Sequence, residues 1–257
     1  MIPREACPPV LIENHPTCAS GLDRQEHLAD AIPDEKRPAL LMWRSPPALI
    51  VGRGDTRLPR FEAAVEKLAA EGWPVLVRNS GGLACPVSPG TLQIALARRV
   101  VPGGTTEALY EELARLLIAA LSPYGLEAVA GERPDAFCPG RYDISLKHTK
   151  IAGLSQRWRQ RSGAFDATTA AALIIDGDPS ELARITNLFY RTAGAARVCS
   201  AGAVGSMKAA LSPHAPETEI LFEEIAIRVE ALIAAEPFLR SELPLATGDK
   251  EEPDDES

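Results

Sequence analysis

Between Tyr142 and Asp176 the chain carries three strand-patterned segments almost back to back, YDISL, TKIAGLSQRWR and AFDATTAAALIID. Alternation along the first two puts successive side chains on opposite faces and predicts a hairpin, with the third segment continuing the same sheet. A sheet of this kind needs helices to cover it, and helical spacing is present. PRFEAAVEKLAAEG has apolar residues at Phe61, Ala64, Val65, Leu68 and Ala69, with Gly72 as its stop. Further helices are expected from about Thr106 to Leu121, Pro179 to Ala193 and Glu217 to Ala235. With 257 residues, 46% of them apolar, the chain suffices for one large α/β domain or two small ones.

Earlier in the chain, PALLMWRSPPALIVGRG reads as two apolar strands, most simply a hairpin about Ser45-Pro46-Pro47. Strands from Val75 to Arg78 and from Leu92 to Val101 flank a glycine turn, and a short helix from Leu22 to Ala31 ends at Pro33. The stretch before Gly140 is punctuated by Pro and Gly and reads mostly as loop. Residues 1–20 are proline-rich and aperiodic, which predicts a loosely ordered lead-in. Residues 248–257, GDKEEPDDES, read as a disordered acidic tail, leaving 21–247 as the folded domain.

A net charge of −8 argues against a general affinity for nucleic acid or anionic lipid, both of which require excess Lys and Arg. The five cysteines are odd in number, widely spaced and without a CxxC pair, so neither a disulfide framework nor a zinc site is expected. His15, His27, His148 and His214 are too scattered for metal ligation. The N-terminal MIPREACPPVLIENHP lacks the apolar run of a signal peptide and no segment reaches membrane-spanning length, so a soluble cytoplasmic protein is expected.

Chemistry concentrates in two places. GRGDTR lacks the third glycine of a dinucleotide loop and reads as a structural turn, whereas RNSGGLACPVSPG, residues 78–90, sets Gly81 and Gly82 between strands. The pair either forms a plain turn or lets the backbone approach a ligand, with Arg78 as a fixed cation beside it or the partner of a carboxylate. The second place is Cys138 in AFCPG, either an inert thiol or a nucleophile, followed at once by basic residues. From Arg141 to Arg161 six Lys or Arg stand against one acid. An ammonium from Lys147 or Lys150 within several ångströms would favour thiolate at Cys138, and Lys150 lies nearer the buried part of the predicted hairpin. Arg157, Arg159 and Arg161 either steer an acidic partner or simply line a solvated strand face.

Together these residues resemble the superfamily of lipoate-protein ligases and lipoyl or octanoyl transferases. VRNSGGLA, residues 77–84, is similar to its RxSGG ligand loop, and YDISLKHTKIAGLSQRWR, residues 142–159, to its pattern around a signature lysine, here Lys150. The resemblance implies a mixed α/β (α+β) fold with flanking helices, as in biotin and lipoate ligase catalytic domains, and a tunnel for a medium-length acyl chain. Within the superfamily, DAFCPGRYDISL looks most like amidotransferases that move octanoyl groups from the glycine cleavage H protein to lipoyl domains. Carried over, Cys138 becomes the acyl-thioester nucleophile and Lys150 the group favouring its thiolate. Arg78, Ser80, Gly81, Gly82, Leu83, Ala84, Asp143 and Gly153 become substrate-binding positions. Leu83 in place of the ligases' third glycine, and Ser88 and Thr91 in place of their Asp and Asn, point away from adenylate chemistry. The implied substrate is an octanoyl or lipoyl group and the implied partners are lipoyl-domain proteins, the H protein or acyl carrier protein, with no ATP. An ATP-dependent lipoate ligase and a non-catalytic acyl-binding protein are the rivals. Cys85 reads as wall.

Overall fold

A computed structural model describes residues 12–33, 37–100, 103–161 and 163–235. In chain order its elements are β1 (Ile12–Asn14), α1 (Cys18–Glu26), β2 (Ala39–Arg44), β3 (Ala48–Val51), α2 (Phe61–Ala70), β4 (Val75–Val77), β5 (Cys85–Val87) and β6 (Thr91–Val100). There follow α3 (Thr106–Leu121), β7 (Ala128–Ala130), β8 (Ile144–Leu146), β9 (Thr149–Arg161), β10 (Ala164–Ile174), α4 (Pro179–Ala193), α5 (Met207–Leu211) and α6 (Thr218–Ala235). The fold is the mixed α/β arrangement expected, with a seven-stranded sheet in the order β1-β2-β6-β10-β9-β8-β7 and a three-stranded sheet β4-β3-β5.

The three successive strands do lie side by side in the large sheet, β8 to β9 to β10, antiparallel throughout. Alternation then divides the sheet into two faces. Leu92, Ile94 and Leu96 of β6, with Ala171 and Leu173 of β10, face the helical layer, where Leu113, Leu116, Leu117 and Leu121 of α3 and Phe222, Ile225 and Val229 of α6 are buried. Each of those leucines contributes about 1.5–3 kcal/mol on full burial. The opposite face, with Trp43, Ala95 and Ala170, looks onto Ile50 of β3 and Val87 of β5. Behind the small sheet, α2 and α4 pack Ala64, Leu68, Ile185 and Phe189 against Leu49 and Val51.

Several expectations are corrected. PALLMWR and ALIV are not a hairpin: β2 joins the large sheet while β3 is the central strand of the small one. Pro46 and Pro47 have no N–H for a ladder, so this corner carries the chain from one sheet to the other. β3 is buried at all four positions, which is why it reads as a continuous apolar run rather than an alternating one. Within the lead-in expected to be loosely ordered, Ile12–Asn14 pair in parallel with Met42–Arg44, and the Thr17 hydroxyl accepts from Ser20 N–H to cap α1. The expected Leu22–Ala31 helix is α1 followed by a separate 3-10 turn over Leu28–Ala31. β5 and β7, three residues each, went unread because so short a run shows no period. The first 11 residues of the lead-in, the end of the folded range from 236 and the acidic tail lie outside the described residues.

Candidate active site

Cys138 sits within the loop that joins β7 to β8, with φ at +42°. That left-handed conformation is strained for a residue with a β-carbon and persists only where the surroundings impose it. Lys150 of β9 imposes it. Its ammonium, fully buried, donates to the carbonyl oxygens of Phe137 at 2.9 Å and Cys138 at 2.7 Å, and pairs with Asp143 Oδ2 at 2.8 Å. Three donors thus meet three acceptors. Asp143 closes the loop from the other side by accepting Gly140 N–H at 2.9 Å. Burial pushes its carboxyl up to about 6, against the opposing pull of the Lys150 ammonium and the Gly140 amide.

The sulfur itself is held by the glycine loop. Leu83 N–H points at Cys138 Sγ from 3.1 Å and Arg78 Nη2 from 3.6 Å. The same guanidinium donates to Gly81 O at 3.0 Å and Leu83 O at 2.9 Å, so Arg78 wraps its own loop around a cation aimed at the thiol. Gly82 makes this possible. Its φ is +106°, and a β-carbon there would collide with Arg78 Nη2 and lie 3.0 Å from Cys138 Sγ. From α4, Tyr190 steadies the far end of the loop: its hydroxyl accepts Ala84 N–H at 3.0 Å and donates to the buried Asp55. Ser80 donates to Ser155 Oγ of β9 at 3.3 Å, tying the loop's start to the large sheet.

Cys138, Arg78, Lys150 and Gly153 open onto one slot that runs between the two sheets. Its walls include Trp43, Ile50, Cys85, Val87, Ala170 and Ala172. Cys85 is wall, as expected, and burial pushes its thiol up to about 11, which keeps it neutral. A second groove that shares Arg78, Ser155 and Ala170 with this slot touches Glu26, Ser80 and Arg157.

The predicted residues are therefore brought together, with duties differently divided. Lys150 bonds the carbonyl of Cys138, while the hydrogen bonds to its sulfur come from Arg78 and Leu83. Gly153 makes room for the lysine: a β-carbon there would lie 3.0 Å from Lys150 Nζ. Gly81 and Ala84 contribute backbone to the loop rather than slot wall. Gln93, Trp43, Ala170 and Ala172 were missed. A polar residue inside the apolar run TLQIALA was the available signal for the first.

Residues 18–227 match the family model described as the lipoyl protein ligase A/B catalytic domain. The chain belongs to that family. Among curated members it is 36% identical to an octanoyl-[GcvH]:protein N-octanoyltransferase of Geobacillus kaustophilus, over 58% of this chain and 51% of that protein. It is 32% identical to a lipoyl-[GcvH]:protein N-lipoyltransferase of Listeria monocytogenes, over 60% of this chain and 55% of that one. These matches span about half the length of the relatives. The fold agrees with solved lipoyl ligase structures. Lipoate-protein ligase A bound with ATP superposes with a TM-score of 0.63 at 18% identity, covering 90% of this chain and 94% of that one. The bipartite lipoate protein ligase of Thermoplasma acidophilum gives 0.61 at 16%, covering 87% and 82%. Among the described residues no helix is long and apolar enough to cross a membrane.

Proposed function

We propose that this lipoyl ligase family member is an acyltransferase that moves an octanoyl or lipoyl group between carrier proteins, onto the lysine of a lipoyl domain, through a thioester on Cys138. The observation that carries this reading is the placement of one sulfur at an apolar slot with a cation and a backbone N–H trained on it. A thiol so placed suits nucleophilic catalysis, because negative charge on sulfur meets Arg78 and Leu83 N–H rather than apolar wall. The relatives named for octanoyl and lipoyl transfer from the H protein supply the acyl class and the carrier.

In the first half-reaction the Cys138 thiolate attacks the acyl carbonyl of a loaded carrier. A carbon–sulfur bond forms, the bond to the carrier's nitrogen or sulfur breaks, and that leaving atom takes up a proton. In the second, the amine of an acceptor lysine attacks the thioester, sulfur leaves as thiolate, and the new amide nitrogen gives up a proton. Arg78 and Leu83 N–H receive the sulfur's charge at both ends of the cycle, while Lys150 and Asp143 hold the loop that presents it. ATP is not needed, since the acyl group arrives already bonded to a carrier.

The test offers octanoyl-loaded H protein and octanoyl-loaded acyl carrier protein separately, with and without ATP, and reads the intact mass. One octanoyl adduct that disappears in Cys138→Ala and passes to a lipoyl domain without ATP is expected. Transfer that requires ATP and free acid would instead make the chain a ligase.

A further inference from the structure

Gln93 of β6 is 5% exposed and its Nε2 has no hydrogen-bond partner. Among the described buried side-chain atoms without a partner, it is the one whose residue lines the slot. Leaving a buried amide donor unpaired is costly, so an unpartnered amide in the slot wall points to a ligand atom that completes it. The neighbouring polar tip needs no such help: Trp43 Nε1 donates to Gln25 Oε1 at 3.0 Å.

The register locates Gln93 relative to the chemistry. Gly153, Ala172, Gln93 and Trp43 are successive cross-strand partners on β9, β10, β6 and β2, and all four line the slot. Gly153 marks the end beside the Cys138 loop, against the Lys150 Nζ that bonds the Cys138 carbonyl. Gln93 is two strands away, roughly 9 to 10 Å, which is about the reach of an extended eight-carbon chain. The intervening strand presents only the methyl of Ala172, and that small side chain leaves the lane open. An acyl chain whose carbonyl meets Cys138 would thus bring its last carbons to Gln93.

We propose that Gln93 is a specificity-determining residue that selects acyl groups bearing a hydrogen-bond acceptor at their far end, and so favours the dithiolane-tipped lipoyl group over plain octanoyl. This rests on the transfer reading above and sharpens its substrate class. Octanoyl offers only methylene and methyl to the amide and leaves it unpaired, whereas lipoyl carries sulfur on its sixth and eighth carbons. Sulfur is a weak acceptor, so the preference is modest, about 5- to 10-fold.

Binding and chemistry are tested separately. Calorimetric titration of the full-length protein with lipoic acid and with octanoic acid should show lipoic acid bound about 5- to 10-fold tighter, and Gln93→Leu should bring that ratio close to one. Exchange of an unpaired amide for an apolar group of similar size should leave the urea midpoint unchanged or higher, which separates lost selectivity from misfolding. Equal affinities in the wild type, or a ratio that Gln93→Leu leaves untouched, overturn the inference. Selective binding without any adduct on Cys138 would sustain it while refuting the transfer reading, and an adduct with no Gln93-dependent selectivity would do the reverse.

Discussion

Lys150 reaches Cys138 through the carbonyl oxygen, at 2.7 Å, and the sulfur of the same cysteine is bonded instead by Leu83 N–H and Arg78. One cation therefore holds the backbone of Cys138 and another faces its sulfur. The two roles predict different consequences for removing each charge.

Loss of Arg78 should fall on reactivity. Hydrogen bonds to a charged group are worth about 1.5–3 kcal/mol, and Arg78 supplies the long one of two at the sulfur, so Arg78→Leu should slow iodoacetamide alkylation of Cys138 at neutral pH by about tenfold. The rate is read by mass spectrometry on Cys138 alone. An unchanged rate would remove Arg78 from the chemistry and return it to the role of loop clasp.

Loss of Lys150 should fall first on stability. Lys150→Met leaves Asp143 buried without its cation and releases the strained Cys138 loop, at a cost of about 3–5 kcal/mol in urea unfolding. Adding Asp143→Asn should recover part of that loss, because the uncompensated charge disappears with it. Additive costs in the double variant would show that the pair is not coupled.

Asp143 sets an acid limit. Its carboxyl, pushed up to about 6 by burial, is ionised above that pH and takes up a proton as pH falls through it, roughly two units above the ordinary aspartate range. Protonation removes the partner of Lys150 and weakens the clasp on the Cys138 loop. Acyl-adduct formation should therefore fall below about pH 6, and Asp143→Asn should lower the plateau and abolish that limb.

What the sequence disclosed follows from how far each signal reaches along the chain. β9, β10 and α3 are long enough to show their periods, and α3 and α4 run over the stretches that spacing predicts. The RxSGG-like and lysine motifs drew Arg78, Cys138 and Lys150 together although 60 residues separate Arg78 from Cys138. Which atom each cation touches was not legible, because it depends on the left-handed turn at Cys138 and on which of two acceptors, carbonyl or sulfur, the lysine reaches. The arginines of β9 show a similar limit. Their alternation is visible, yet Arg157 pairs with Glu26, and Arg159 and Arg161 with Asp30, acids far away in sequence. Slot residues such as Gln93 and Ala172 carry no motif at all; they become meaningful only once β2, β6, β10 and β9 are in register.

The same register makes Ala172 a ruler for chain length. Its methyl lies on the strand between Gly153, at the end beside the Cys138 loop, and Gln93, one spacing of about 4.8 Å from each, so bulk added there should cut the lane roughly in half. Ala172→Leu should bar octanoyl from Cys138 while still admitting butanoyl, whose few carbons end before the obstruction. The added methylenes enter existing slot space rather than packed core, so stability should change by no more than about 1–3 kcal/mol. Competing butanoyl- and octanoyl-loaded carriers, with the adduct mass as readout, measure the switch directly. Equal loss of both adducts would mean that the chain enters by another route, and retained octanoyl transfer would show that the acyl group does not run along this row.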